Sequence, residues 1–167
     1  MRSINGGVGA ISPVAPVLIA SAFACGGVAM FTACMTNESA FRVVDSLDGR
    51  LLDEGEGREG AASLLRRIHE NVEMLVFTVA SFGWIGGAAV YKWNGTLRNW
   101  GSGPSMTMAG TLRIEVDQDR VSAVELHLNG EAYLDLVHDG RAPRPYDAAP
   151  GQARRNRGDE PLQRGRG

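Results

Sequence analysis

The chain has 167 residues, a formal net charge of −2 and 22 glycines. That charge balance excludes a strongly basic nucleic-acid binder, and two cysteines exclude a disulfide scaffold. The mean hydropathy is near zero, but the average hides two charge-free runs, residues 13–35 and 74–91.

Residues 1–12 read as a short, flexible, Gly-rich N-terminus with Arg2 as its one charged side chain. Ser12-Pro13 has the form of a helix start. Residues 13–35 are predicted as transmembrane helix 1, because at 1.5 Å per residue they reach across a ~30 Å hydrocarbon layer. Ala22 and Gly26, and Ala29 and Ala33, place small residues four apart, the spacing that lets helices pack closely in lipid. Cys25 and Cys34 fall on opposite faces of such a helix and cannot pair. Two processed forms compete with an uncleaved span. One is a signal cut after Ala20-Ser21-Ala22; the other is a lipoprotein anchored at Cys34.

Residues 36–71 carry eight Asp/Glu against five Arg and read as an acidic loop. Within it, residues 40–53 predict a short hairpin about Asp48-Gly49. Residues 55–60 (GEGREG) match the spelling of a dinucleotide-binding loop, but their two Glu would repel a pyrophosphate and no βαβ unit surrounds them. Asp45, Asp48, Asp53, Glu54, Glu56 and Glu59 lack the spacing of a hard-cation loop. From Ala61 a juxtamembrane helix begins, with Leu64, Leu65 and Ile68 on one face, and continues into the second span.

Residues 72–93 are predicted as transmembrane helix 2. Gly83 and Gly87 form a GxxxG pair for helix packing. Tyr91, Lys92, Trp93 and Trp100 have the composition of a membrane–water boundary. Neither run has the polar stripe that would line a pore, and neither carries an ionisable residue midway, which argues against a membrane enzyme. The Lys/Arg distribution leaves the orientation open.

Residues 105–140 change to a period of two. Leu112, Ile114, Val116, Val124, Leu126, Leu134 and Leu136 alternate onto one face, and Asn129-Gly130 supplies a hairpin turn, so a three-stranded meander is expected. Residues 141–167 hold seven Arg against three acids, without interleaved aromatics. They read as a disordered basic tail and not as a specific RNA binder. His69, His127 and His138 are too scattered for a haem or zinc site.

The expected fold class is a membrane α+β protein: a two-helix transmembrane hairpin with a small C-terminal antiparallel β-meander and a disordered basic tail. The expected role is non-enzymatic, as an accessory or interaction subunit of a membrane assembly. Its partners would be membrane lipid, other membrane subunits or a second copy. No cofactor, metal or specific nucleic acid is expected. The alternatives are a secreted or lipid-anchored envelope α+β domain and a small membrane-permeabilising, holin-like protein.

Overall fold

Gly26 breaks the first charge-free run. In the computed structural model, which describes residues 14–100 and 105–138, helix α1 spans Val14–Cys25 and helix α2 spans Val28–Ala33. Gly26 takes φ +71°, and the Gly27 N–H donates to the Ala22 carbonyl at 3.0 Å. That bond is the usual close of a helix on a left-handed glycine. Twelve residues reach only ~18 Å, short of a ~30 Å hydrocarbon layer. Among the described residues no helix is long and apolar enough to cross a membrane.

The second run is not a helix. Strand β1 (Met35–Asp45), strand β2 (Leu51–Glu56) and helix α3 (Gly57–Asn71) precede it, and α3 stops at Asn71. Residues 74–91 then fall within an antiparallel hairpin, strands β3 (Val72–Ile85) and β4 (Ala88–Asn99). The chain reverses at Gly86-Gly87, with φ of +57° and +81°. A two-residue hairpin loop of this hand needs glycine-like residues. The flanking Val, Thr, Phe and Trp residues favour a pleated strand over a helix. The two-helix membrane hairpin is therefore overturned, and the membrane location goes with it. The accessory-subunit and holin-like readings rested on the spans and fall too. A cut after Ala22 would remove the core residue Ile19, and one before Cys34 would remove Phe23 and Phe31 as well.

Strands β5 (Met106–Asp117) and β6 (Arg120–Leu128) complete the sheet, and helix α4 (Gly130–His138) follows. The order is β2-β1-β6-β5-β4-β3. The β1–β6 pair is parallel and every other pair is antiparallel. Helix α3 buries Ala61, Leu64, Leu65 and Ile68 against β1 and β2. Its chain carries on from β2 at one sheet edge to β3 at the other. The hairpin at Asp48-Gly49 is present as β1–β2, with Gly49 at φ +73°.

Of the expected meander, β5 and β6 form a hairpin that buries Leu112, Ile114, Val124 and Leu126. Val116 is half-buried. The third strand is helix α4. Asn129 does not make a hairpin turn with Gly130; its Oδ1 accepts the Ala132 N–H at 2.9 Å, an N-cap bond. Tyr133, Leu136 and Val137 are buried, at helical i, i+3, i+4 spacing, while Leu134 is exposed. The flexible N-terminus 1–12 and the basic tail 141–167 lie outside the described residues.

The face of the sheet away from the helices is tied by charge. Arg42 on β1 pairs with Glu54 on β2 at 2.6 Å. Arg113 on β5 pairs with Glu115 and lies 3.6 Å from Glu125 on β6. In register the row runs Glu54, Arg42, Glu125, Arg113, Val90, Gly83. Alternating signs stabilise adjacent strands modestly, and the row ends uncharged at β4 and β3.

Gly55 packs so closely on Gly60 that an added Cβ would collide with the Gly60 backbone, whereas a Cβ at Gly83 meets nothing within 4 Å. Gly55→Ala is therefore expected to cost about 2–4 kcal/mol, since backbone must move. Gly83→Ala should stay within about 0.5 kcal/mol of the parent. Urea unfolding of the two variants checks this. A neutral Gly55→Ala would contradict the β2–α3 junction described here.

Candidate functional site

The helix-side face of the sheet holds the polar groups that packing leaves unmatched. Strand alternation turns Ala89, Tyr91, Trp93, Leu97 and Asn99 inward and Lys92, Asn94 and Arg98 outward. Across the sheet, Tyr91 pairs with Leu112 on one side and with Phe82 on the other. Helix α1 lays Phe23 over part of this row. The Phe23 ring lies 5.8 Å from Phe77 and 6.3 Å from Trp93, and Phe77 stacks on Trp93 at 5.3 Å.

Further along the hairpin, Phe82 and Trp84 stay 49% and 40% exposed. Phe82 lies 4.7 Å from the Tyr91 ring and 6.2 Å, edge-on, from Trp84. The three rings share the helix-side face, because Phe82 is registered with Tyr91 and Trp84 with buried Ala89. Tyr91 and Trp93 are only 7% and 2% exposed, yet the Tyr91 hydroxyl and the Trp93 indole N–H have no hydrogen-bond partner among the described residues. A buried donor without a partner costs about 1–3 kcal/mol. Burial pushes the Tyr91 pKa up, so the phenol stays protonated and available as a donor. The Tyr91 ring, which carries one of these donors, lies against the half-exposed patch, whereas the indole N–H edge of Trp93 is turned toward Gly110 of β5.

The acidic and basic groups on this side are already tied to the protein. Asp53 on β2 accepts from the Tyr133 hydroxyl at 3.0 Å and pairs with Arg67 at 2.5 Å, clasping α4 and α3 to the sheet. Burial, and then the Asp53 charge, push the Tyr133 pKa well up. Asp45 accepts the Leu47 N–H at 2.9 Å and lies 3.6 Å from Arg50. Its carboxylate occupies the space that a Cβ on Gly130 would need. His69 Nε2 lies 2.7 Å from the Phe23 carbonyl. Burial holds the His69 pKa down, so the ring is neutral near pH 7 with Nε2–H as donor.

The residues singled out in the sequence are dispersed. Ala22 is buried in α1, while Ala29 and Ala33 are exposed on α2. Gly26 does permit a close approach, but to the His69 ring, which lies 3.0 Å from where a Cβ would sit. Gly83 lies in β3 and Gly87 in the turn, so neither is part of a helix row. Tyr91 and Trp93 are core residues rather than a boundary belt, with Lys92 between them on the opposite face. Trp100 donates its indole N–H to the His69 carbonyl at 3.1 Å. Cys25 is exposed and Cys34 half-buried, and burial raises the Cys34 thiol pKa. Among the described residues no group of His, Cys, Asp and Glu could hold a metal. Phe82 and the buried donors of Tyr91 and Trp93 went unrecognised as a site. Their signal is the inward alternation of β4, which a helical period across the charge-free run conceals.

Two recesses of about 360 and 410 Å³ flank the Gln118-Asp119 turn between β5 and β6. Arg120 lines both. The first lies between the start of β1 and this turn, and the second between the turn and residues of α1 and α2; neither includes a histidine.

The depressed His69 pKa makes stability depend on pH. Below ~6.5, the ordinary histidine value, the unfolded chain takes up a proton that the folded ring resists. The His69 contribution is therefore kept above that pH and lost as pH falls toward the folded-state value. His69→Gln, which retains an N–H donor of similar reach, should flatten this part of the stability profile. Urea midpoints between pH 5 and 8 check it; parallel profiles for parent and variant would contradict the buried neutral ring.

The sequence matches no family model and no curated protein, but the fold is shared with solved structures. A hypothetical protein with a ketosteroid isomerase-like fold from Catenulispora acidiphila, in complex with trimethylamine, superposes with TM-score 0.60 at 12% identity, covering 75% of this chain and 93% of that one. An NTF2-like protein of unknown function from Burkholderia pseudomallei gives 0.60 at 15%, covering 75% and 95%. An LEH-like epoxide hydrolase from M. tuberculosis gives 0.54 at 16%, covering 76% and 89%. Such identities establish a shared architecture and not a shared activity. The chain has the NTF2-like, ketosteroid isomerase-like fold.

Proposed function

We propose that this protein is a non-catalytic binding module for a small, largely apolar aromatic molecule that carries a hydrogen-bond acceptor. The observation that supports it is the buried, unpartnered hydroxyl of Tyr91, whose ring lies against the half-exposed Phe82 beside Trp84. An aromatic ligand gains area and ring contacts on that patch. An acceptor oxygen that reaches the Tyr91 hydroxyl removes a desolvation cost the empty protein carries. The non-catalytic part of the reading is supported by the neighbouring titratable groups. Asp45, Asp53 and His69 are each committed to holding elements together, which leaves them poorly placed to exchange protons with a substrate.

The test uses 2-acetylnaphthalene, with 2-ethylnaphthalene as the match lacking an acceptor, titrated by calorimetry. The ketone should bind about three- to tenfold more tightly, the worth of one net hydrogen bond. Tyr91→Phe should remove much of that preference while raising stability by about 1 kcal/mol or more, because it deletes an unsatisfied group. Equal binding of both compounds, absence of binding, or a Tyr91→Phe protein less stable than the parent would refute the reading.

A further inference from the structure

Strand β3 is an edge of the sheet, with no neighbour beyond it among the described residues. Its exposed apolar residues lie on both faces. Phe82 and Trp84 are on the helix side, and Ile85, 65% exposed, is registered with Ala88 on the other side. An occupant docking on one face would leave the other uncovered. A strand arriving along the edge covers both.

The register fixes which backbone groups face outward. The two-residue loop Gly86-Gly87 joins Ile85 to Ala88, and the residues that close such a loop form a hydrogen-bonded pair. Bonded and non-bonded pairs then alternate down the hairpin. Gly83 and Ile85 direct their N–H and C=O groups to β4, while Phe82 and Trp84 present theirs to the open edge. The ladder is irregular near Leu75 and Ala80, so the regular part of the edge is Ser81–Ile85. Edge strands are commonly blunted with charge. This stretch has none: residues 74–91 contain no charged side chain.

We infer that β3 pairs antiparallel with β3 of a second copy of this chain, on a two-fold axis through Gly83. That register sets Phe82 opposite the second copy's Trp84 and repeats the pair across the axis. Both pairs use the outward N–H and C=O groups, giving four backbone hydrogen bonds. Both also place aromatic side chains side by side on the helix face, a favourable cross-strand combination. Gly83 meets its own equivalent at the closest backbone approach, where a side chain on each copy would be crowded. No like charges oppose one another. A second copy is thus a self-complementary occupant, in the isologous manner of two-fold assemblies. The pairing is short, so a reversible, concentration-dependent dimer is expected.

Analytical ultracentrifugation of the full chain over a concentration series tests this. The parent should show a monomer–dimer equilibrium. Gly83→Lys and Gly83→Glu each set like charges across the axis and should weaken self-association about tenfold or more. Both should fold normally, because a Cβ at Gly83 meets no atom within 4 Å; unchanged circular dichroism and urea midpoints check this. Mixing the two variants should restore dimer, since Lys then faces Glu. Only a self-interface centred on this residue predicts that rescue. A parent that is monomeric at every concentration would overturn the proposal and leave the edge to a foreign strand. Variants that dimerise like the parent, or a mixture that does not recover, would overturn the register.

Discussion

Phe23 is where the three parts of the molecule meet. Its ring packs on Phe77 and Trp93 of the β3–β4 hairpin and edge-on to His69 of α3, at 6.3 Å. Its carbonyl is the partner of His69 Nε2. One residue of α1 therefore holds the N-terminal helix to the crossover helix and to the sheet. Gly26 is the condition for that contact, because it ends α1 on a left-handed turn and leaves room for the imidazole. Trp100 joins the same knot through the His69 carbonyl, so the end of β4 is drawn to the helix that leads into β3.

The knot also limits the candidate site. Helix α1 covers the sheet at Phe77 and Trp93, but Phe82 and Trp84 stay half-exposed. The inward face of β4 thus passes from closed core to open patch within a few residues. Tyr91 and Trp93 occupy the transition. In a core that only packs, both positions would favour side chains without a polar atom, because an unmatched donor costs free energy there. Native cores keep few such groups, and those kept warrant a functional account.

Much of the local structure was legible and its assembly was not. The hairpin at Asp48-Gly49, the buried face of α3 and the β5–β6 alternation follow from turn chemistry and periodicity at those residues. The two charge-free runs misled because absence of charge reports burial, not period. A transmembrane helix and a hairpin with one strand in the core and the other bare at the edge share that property. The distinguishing residues were present. Gly26-Gly27 and Gly86-Gly87 each interrupt a run with a pair that a continuous helix tolerates poorly and a chain reversal requires. Asn129-Gly130 misled in the opposite direction. Asn serves both a hairpin turn and a helix N-cap, and Tyr133, Leu136 and Val137 settle the matter by spacing.

The candidate site was less legible than the fold because it depends on pairings distant in sequence. Tyr91 faces inward only because β4 lies between β3 and β5 under α1. The lack of charge along β3 looks different in the folded chain as well. In lipid, uncharged residues would satisfy the surroundings. On a sheet edge, they leave Phe82 and Trp84 with exposed backbone groups and no electrostatic guard. A second copy of the same strand would supply the missing backbone partners without setting any charge against its like.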